Sequence, residues 1–169
     1  MLLDELFDYK NELMKIFCNN ERIVHLVTDS EDAQCPNYDL PYSQIYPYEF
    51  IPETVDHGTT FICVDVDIQQ VYSKTTYNPV IYVWVFTHKS KLKLPEGGVR
   101  IDQIAVEINK ELSGSRYFGL GELELAMTER FVPIADYLGR CLVYTATDFN
   151  RPSHIRPYKN PPANRKNRD

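Results

Sequence analysis

The 169-residue sequence lacks both long apolar runs and closely spaced cysteines. No stretch of eighteen apolar residues occurs, so we expect no membrane-spanning helix. The first ten residues carry acids where a signal peptide needs positive charge. We therefore expect a protein that is made and used, or assembled, inside a cell. The four cysteines have no paired short spacing of the kind that marks a zinc site, and they are expected to act as small apolar residues: Cys18, Cys35, Cys63 and Cys141.

Sequence motifs of catalysis are also scarce. No serine stands in a G-x-S-x-G motif, and no H-E-x-x-H pair occurs. The glycines at 97–98 and 119–121 do not follow a strand and open a helix as phosphate-binding loops do, so they are interpreted as turn residues. A Cys–His dyad assembled in space stays open, because dyad partners need not be neighbours in sequence. The residues by themselves give catalysis little support.

Asp65 and Asp67 are candidate metal ligands. In a strand they share one face, about 7 Å apart, and paired carboxylates bind Mg²⁺ or Ca²⁺ in nucleases. The next strand supplies Thr87, His88 and Lys89, however, and not the Glu-x-Lys of a restriction-type nuclease. The alternative is a solvent-facing pair that protects a strand edge.

Charge is distributed unevenly along the chain. From residue 150 onward six basic residues stand against one acid, a net charge of +5, whereas the rest holds 12 basic and 23 acidic residues, a net charge of −11. An acidic body argues against nucleic-acid binding by the body itself. The basic tail suits either nucleic acid or an acidic surface on a neighbouring subunit. Its prolines favour an extended form.

Hydrophobic periodicity predicts amphipathic helices and several strands. Apolar residues recur at spacings of three and four in the helical segments and alternate in most of the strands. One strand is apolar on both faces, which is typical of a central, doubly covered position. The predicted helices span residues 2–17, with a short continuation at 21–27, and 99–112. The predicted strands span 59–72, 80–88, 117–128 and 140–149.

This order of elements indicates an α+β fold. We expect one mostly antiparallel sheet of about four strands, flanked by two or more helices. A single domain is expected over residues 1–150, including an extended Pro-rich and Tyr-rich arm at 35–52. An extended basic tail follows over 151–169.

The segment IYPYEFIPET (45–54), within the arm, is unusually apolar for a region with two prolines. Prolines fix φ and remove backbone donors, so we expect the segment to form neither helix nor strand. Aromatic side chains on a stiff segment are typical of interface cores. We therefore expect Tyr46, Tyr48 and Phe50 to contact a neighbouring subunit. The alternative is that the arm packs on its own subunit and covers a sheet edge.

Three segments together resemble a known family of structural proteins. IYPYEFIPETVDHGTTFICVDVDI (45–68), RIDQIAVEINKEL (100–112) and LGRCLVYTATDFN (138–150) are similar, in order and spacing, to tail-completion proteins of tailed phages and prophages of Gram-positive bacteria. The family resembled is the tail terminator, or more broadly the head–tail joining proteins of the neck. The acidic and Pro-rich segment 28–52 departs from that family pattern.

The resemblance implies a structural virion protein that catalyses nothing and binds no cofactor or metal. Tail terminators form a homo-hexameric ring that caps the tail tube and docks onto the head-completion complex. The implied partners are other copies of the chain, the tail tube protein and the neck proteins. Genome DNA would pass through the lumen without specific binding, and no membrane is involved. The implied location is the tail or neck of the virion, after assembly in the host cytoplasm.

A closed ring uses a heterologous interface, in which one patch meets a different patch on the next copy. The arm and the basic tail, with Arg151 and Arg156, are the predicted contacts. Three other functions stay open: another neck component such as a head-closure, stopper or connector protein; a small metal-dependent nuclease using Asp65 and Asp67; and a monomeric module that binds a peptide as an added strand.

Overall fold

The computed structural model describes residues 2–29, 39–52, 58–73, 76–118 and 121–146. The helices are α1 (Leu2–Asn19), α2 (Glu21–Thr28) and α3 (Arg100–Leu112), with a short 3-10 helix at Lys89–Lys91. The strands are β1 (Ile45–Tyr46), β2 (Thr60–Ser73), β3 (Thr76–His88), β4 (Leu123–Phe131) and β5 (Tyr137–Ala146). The start of the predicted arm and the whole basic tail lie outside the described residues.

The strands form one open five-stranded sheet in the order β1-β2-β3-β5-β4. β2 and β3 form a long antiparallel hairpin, β3 pairs antiparallel with β5, and β5 pairs antiparallel with β4. The short β1 runs parallel to β2, with Ile45 opposite Ile62. The predicted α+β fold with a mostly antiparallel sheet is therefore confirmed. Its two edges are formed by β1 and β4.

All three helices pack on one face of this sheet. Alternate side chains of the strands point towards them, so the strand and helix stripes predicted from periodicity meet in a single apolar core. Each fully buried aliphatic side chain contributes about 1.5–3 kcal/mol. The strand residues of this core include Ile62, Val64, Val66, Ile81, Val83, Val85, Leu142 and Tyr144. Within the described part of the chain, the helices have neither the length nor the apolar character that crossing a membrane requires.

The prediction that the segment at 45–54 forms no regular element is wrong at two residues. Ile45 and Tyr46 form β1, and the backbone N–H of Ile62 donates to the carbonyl of Gln44 at 2.8 Å. Pro41 and Pro47 lie on either side of this pair and leave its own backbone groups intact. A strand this short fits between the prolines.

The predicted strand at 117–128 is displaced towards the C-terminus. β4 begins only at Leu123, because the backbone of the preceding loop is fixed to that residue. The N–H of Gly114 donates to the carbonyl of Leu123 at 2.8 Å, and the N–H of Leu123 donates to Ser115 at 3.0 Å. This loop directs Phe118 into the core, where it is buried. Phe118 therefore serves as a core residue before the strand begins.

Arg100 connects α2, the 3-10 helix and α3. Its side chain is 3% exposed. The guanidinium donates to the carbonyl of Leu26 at 2.6 Å, to the carbonyl of Lys91 at 2.8 Å and to Asp29 Oδ1 at 2.6 Å. Lys91 also pairs with Asp29, and these two cationic partners lower the pKa of the Asp29 carboxyl. The three elements are thereby held in fixed positions on the sheet.

Candidate functional site

The sheet face opposite the helices carries aromatic side chains supplied by strands and loops. One group of them, which we call the aromatic cluster, surrounds Phe61 and Phe86, whose ring centroids lie 5.3 Å apart. Tyr137 is fully buried beside them, 6.0 Å from Phe86. Offset and edge-on ring pairs at such distances stabilise a structure beyond the area they bury. The cluster consists of Tyr46, Phe50, Phe61, Phe86, Tyr137 and their partly buried neighbours Trp84, Phe131 and Ile134, with Cys63.

Two of the three predicted arm contacts belong to this cluster. Tyr46 is 7% exposed and stacks on Phe50, with ring centroids 4.1 Å apart and planes 8° from parallel. Phe50 in turn lies 5.4 Å from Phe61 of β2. Tyr48 differs from both, because 45% of it is exposed. The arm thus packs partly on its own subunit. Of the three predicted contact residues, Tyr48 has the largest exposed fraction and is the one most accessible to a neighbouring subunit.

Tyr82 and Trp84 of β3 form a second aromatic group on the same face. Their ring centroids lie 5.6 Å apart and their planes differ by 11°. Both side chains are half-buried, and the small apolar side chains around them, including Cys141 and Val143, are buried. We call the surface formed by Tyr82, Trp84 and Met127 the open face. Met127, in β4 opposite Val143, is 48% exposed.

Carboxylates surround the open face. Asp67 of β2 and Glu124 and Glu129 of β4 are exposed, and their register places them on the same side of the sheet as Tyr82 and Trp84. On the described strand residues of this side, no lysine or arginine occurs. The open face therefore combines aromatic rings with negative charge.

The two buried thiols report the same electrostatic environment. Burial raises the pKa of Cys63 to about 12, and the nearby carboxylate of Glu49 also acts to raise it. Burial, Glu129 and Glu49 together raise the pKa of Cys141 to about 11. Both thiols are held in their neutral, unreactive form.

Asp65 and Asp67, the predicted metal pair, are both in β2 but have different surroundings. Asp65 Oδ1 lies 2.5 Å from Lys10 Nζ of α1 and accepts the N–H of Val66. Asp67 Oδ1 accepts the N–H of Ile68 at 2.7 Å. Within the part of the chain that the structure describes, no three His, Cys, Asp or Glu side chains are grouped to hold a metal ion. The described geometry supplies neither a third ligand nor a free pair of carboxylates.

β4 forms one edge of the sheet and is mostly solvent-exposed. Seven consecutive residues after Leu123 are exposed, including the apolar side chains of Leu125 and Met127. Its outer backbone groups have no partner strand among the described elements. The unpaired backbone groups of an exposed edge strand are a template for pairing with another chain. Arg151 and Arg156, the predicted contacts in the tail, lie outside the described residues.

Sequence reasoning did not single out Tyr82 and Trp84. It predicted only a strand that is apolar on both faces and doubly covered. The signal was present in the alternation itself, because the odd positions 81, 83 and 85 are aliphatic whereas Tyr82, Trp84 and Phe86 are aromatic. The helices cover the aliphatic side, and Phe86 lies in the aromatic cluster. Tyr82 and Trp84 are left half-buried on the other side.

Comparisons with known proteins find similarity to a solved virion structure and to a family of sequences. No curated protein sequence matches the chain. A chain in a solved structure titled "Virion of native gene transfer agent (GTA) particle" is 21% identical, with a TM-score of 0.41; the match covers 62% of this chain and 77% of that one. The sequence model of the YomW family matches residues 12–146, which is most of the chain. The chain belongs to the YomW family.

Proposed function

We propose that the chain is a structural protein of a phage-type virion and, more specifically, a tail terminator. In this role it is a subunit of a ring that caps the tail tube and joins it to the head-completion complex. The proposal is supported by the sequence resemblance to tail-completion proteins and by the α+β fold expected from it. The observation that carries it is the pair of unsatisfied surfaces on the sheet: the exposed edge at β4 and the exposed aromatic ring of Tyr48 beside β1.

These two surfaces lie at opposite edges of the sheet. The strand order places β1 and the arm at one edge and β4 at the other. In a closed ring of identical copies, each subunit offers one patch to the preceding copy and a different patch to the next. Tyr48 at one edge and Met127 at the other provide two different apolar contacts of this kind. Apolar side chains exposed at these positions are typical of sites that another protein covers.

The charge of the chain fits the same role. The body carries a large excess of acids over bases. Double-stranded DNA is itself strongly negative, and an acidic lumen lets it pass without being held. Another neck component, such as a head-closure, stopper or connector protein, is the nearest alternative, and it would use the same edges. A monomeric peptide-binding module would use the β4 edge alone.

Light scattering after size exclusion tests this proposal, with the full chain alone and mixed with tail tubes. We expect an assembly with the mass of a ring of subunits, formed either by the chain alone or once tail tubes are added. Tyr48→Ser and Met127→Ser should each weaken assembly by about tenfold, since each removes an apolar contact of roughly 1–2 kcal/mol. Val106→Ser, on the exposed side of α3, is the matched control and should leave assembly unchanged.

A chain that remains monomeric in the presence of tubes would refute the ring. Equal loss of assembly in Val106→Ser would show that the two edges are not the interface. DNA cleavage that requires Mg²⁺ and is abolished by Asp67→Asn would favour the nuclease instead.

A further inference from the structure

The open face has the chemistry of a site for a planar cation. Tyr82 and Trp84 present stacked rings that are half-buried, and the negative face of an aromatic ring attracts a cation. Asp67 and Glu129 stand on either side of the two rings, in β2 and β4. An arginine guanidinium can stack on a ring and donate to a carboxylate at the same time, whereas a lysine ammonium does not stack in this way.

The chain itself contains a segment with the complementary chemistry. Residues 151–169 carry Arg151, Arg156, Lys159, Arg165, Lys166 and Arg168 against one acid, and include four prolines. β5 ends at Ala146, and the preceding Thr145 lies opposite Val80 on the side of the open face. The 23 residues that follow Ala146 span up to about 75 Å when extended. That reach is enough for the segment to cross onto an adjacent subunit.

The direction of β5 favours a neighbouring copy over the segment's own subunit. β3 and β5 are antiparallel, and Cys141 lies opposite Trp84, so β5 passes Trp84 before it reaches Ala146. The chain therefore leaves the sheet pointing away from the two rings. The described end of β5 thus favours a contact beyond the subunit's own two rings.

We propose that the open face binds the basic C-terminal segment, residues 151–169, of a neighbouring copy. An arginine of that segment stacks on the outer face of the Tyr82–Trp84 ring pair, and carboxylates including Asp67 and Glu129 accept its hydrogen bonds. This assignment rests on the proposed assembly of identical copies and names one of its contacts. Each subunit gives its tail to one neighbour and receives a tail from the other, as a heterologous interface requires.

Trp84 provides a direct reporter, because it is the sole tryptophan of the chain. We expect the Trp84 fluorescence of the full chain to change as the concentration rises from roughly 0.1 to 100 μM, the range in which weak multivalent contacts form. A full-length variant with Arg151→Gln, Arg156→Gln and Lys159→Gln should move the midpoint of this change by about tenfold or more. A variant with Arg151→Lys and Arg156→Lys keeps the charge but loses the stacking. The midpoint of its fluorescence change should lie between those of the parent and the glutamine variant.

Two further experiments test the chemistry of the contact between the tail and the open face. Raising the ionic strength from about 0.05 to 0.5 M should weaken the change in the parent, because exposed charges are screened. A synthetic peptide of residues 150–169, added to the glutamine variant, should restore the parent fluorescence, and the same peptide with glutamine at 151, 156 and 159 should not. Val106→Gln, on α3, is the control for a surface change away from the open face and should behave as the parent.

Identical fluorescence in the parent and the glutamine variant at every concentration would overturn the proposal. A difference that does not depend on concentration would also overturn it, because the tail would then bind its own subunit. Light scattering on the same samples separates this inference from the proposed function. If a ring forms but the parent and the glutamine variant have the same Trp84 fluorescence, only the tail contact is refuted. A tail-dependent signal without a ring, in the presence of tail tubes, refutes the proposed function.

Discussion

Replacing Arg100 by methionine should destabilise the subunit far more than replacing an exposed arginine. Arg100 is 2% exposed, and its guanidinium donates to two backbone carbonyls, those of Leu26 and Lys91, as well as to Asp29. A buried acceptor that loses its donor costs about 1–3 kcal/mol. The hydrogen bond to the Leu26 carbonyl is buried, and the one to the Lys91 carbonyl is partly buried. Loss of both donors should therefore lower the free energy of unfolding by about 2–4 kcal/mol.

The ion pair with Asp29 adds little to that sum. Asp29 is 36% exposed by its side chain and keeps Lys91 as a second partner, so its share is below about 1 kcal/mol. For a chain of this length, a loss of about 3 kcal/mol lowers Tm by roughly 6–12 °C. Urea unfolding followed by circular dichroism measures the free energy, and thermal unfolding gives Tm.

Arg22→Met is the matched control for this experiment. Arg22 reaches Glu96 at 3.3 Å, but both side chains are about half exposed. Such a pair contributes about 0–1 kcal/mol. If Arg100→Met and Arg22→Met unfold at the same urea concentration, the buried guanidinium does not hold the helices as described.

The remaining predictions concern single groups in the fold. Hydrogen bonds from Lys91 and Arg100 lower the pKa of the Asp29 carboxyl from its ordinary value of 3.8. The ionised carboxylate therefore stabilises the fold above about pH 4, and this stabilisation is lost as the pH falls through the lowered pKa. The stability difference between the parent and Asp29→Asn should therefore shrink in urea unfolding below about pH 4, and a constant difference would contradict this. Gly139→Ala should cost about 2–3 kcal/mol, because an added Cβ would lie 2.5 Å from the carbonyl oxygen of Val85; an unchanged urea midpoint would refute it. Cys63, whose pKa is raised to about 12 by burial, should resist alkylation at pH 8 until the chain unfolds, and rapid labelling mapped to its peptide would contradict that.

The sheet and its helices were predictable because their periodicities were unambiguous. Ile62, Val64 and Val66 alternate with polar or aromatic residues, and the structure places all three in the core beneath the helices. The stripe of α3, including Ile104 and Ile108, meets the same core. Local patterning settled these elements, since a period of two or of 3.6 permits only one buried side.

The surfaces were less predictable because they depend on contacts between distant segments. Nothing local shows that Tyr46 stacks on Phe50 and lies on the sheet, whereas Tyr48 between them is exposed. The arrangement depends on the parallel pairing of β1 with β2, a contact between residues seventeen positions apart. The open face required the register of four strands before Asp67, Trp84 and Glu129 could be placed on one side.

The arm illustrates how the structure changes an interpretation without removing it. Its aromatics were expected to contact a neighbour, and two of them lie against their own sheet. Replacing Tyr46 by Ser should therefore lower Tm, because it opens the aromatic cluster. Replacing Tyr48 should leave Tm nearly unchanged and act on assembly alone. Of the three aromatic residues of the arm, only Tyr48 thus remains in the proposed interface.

Quantitative mass spectrometry of particles purified from cells that encode the chain tests the central proposal most directly. A tail terminator should be present in every particle at a small fixed ratio to the major structural proteins, six copies for a six-fold ring. The chain should also stay with the particles through density-gradient purification. Its absence from purified particles, with the chain recovered only in the soluble fraction, would contradict a structural role in the virion.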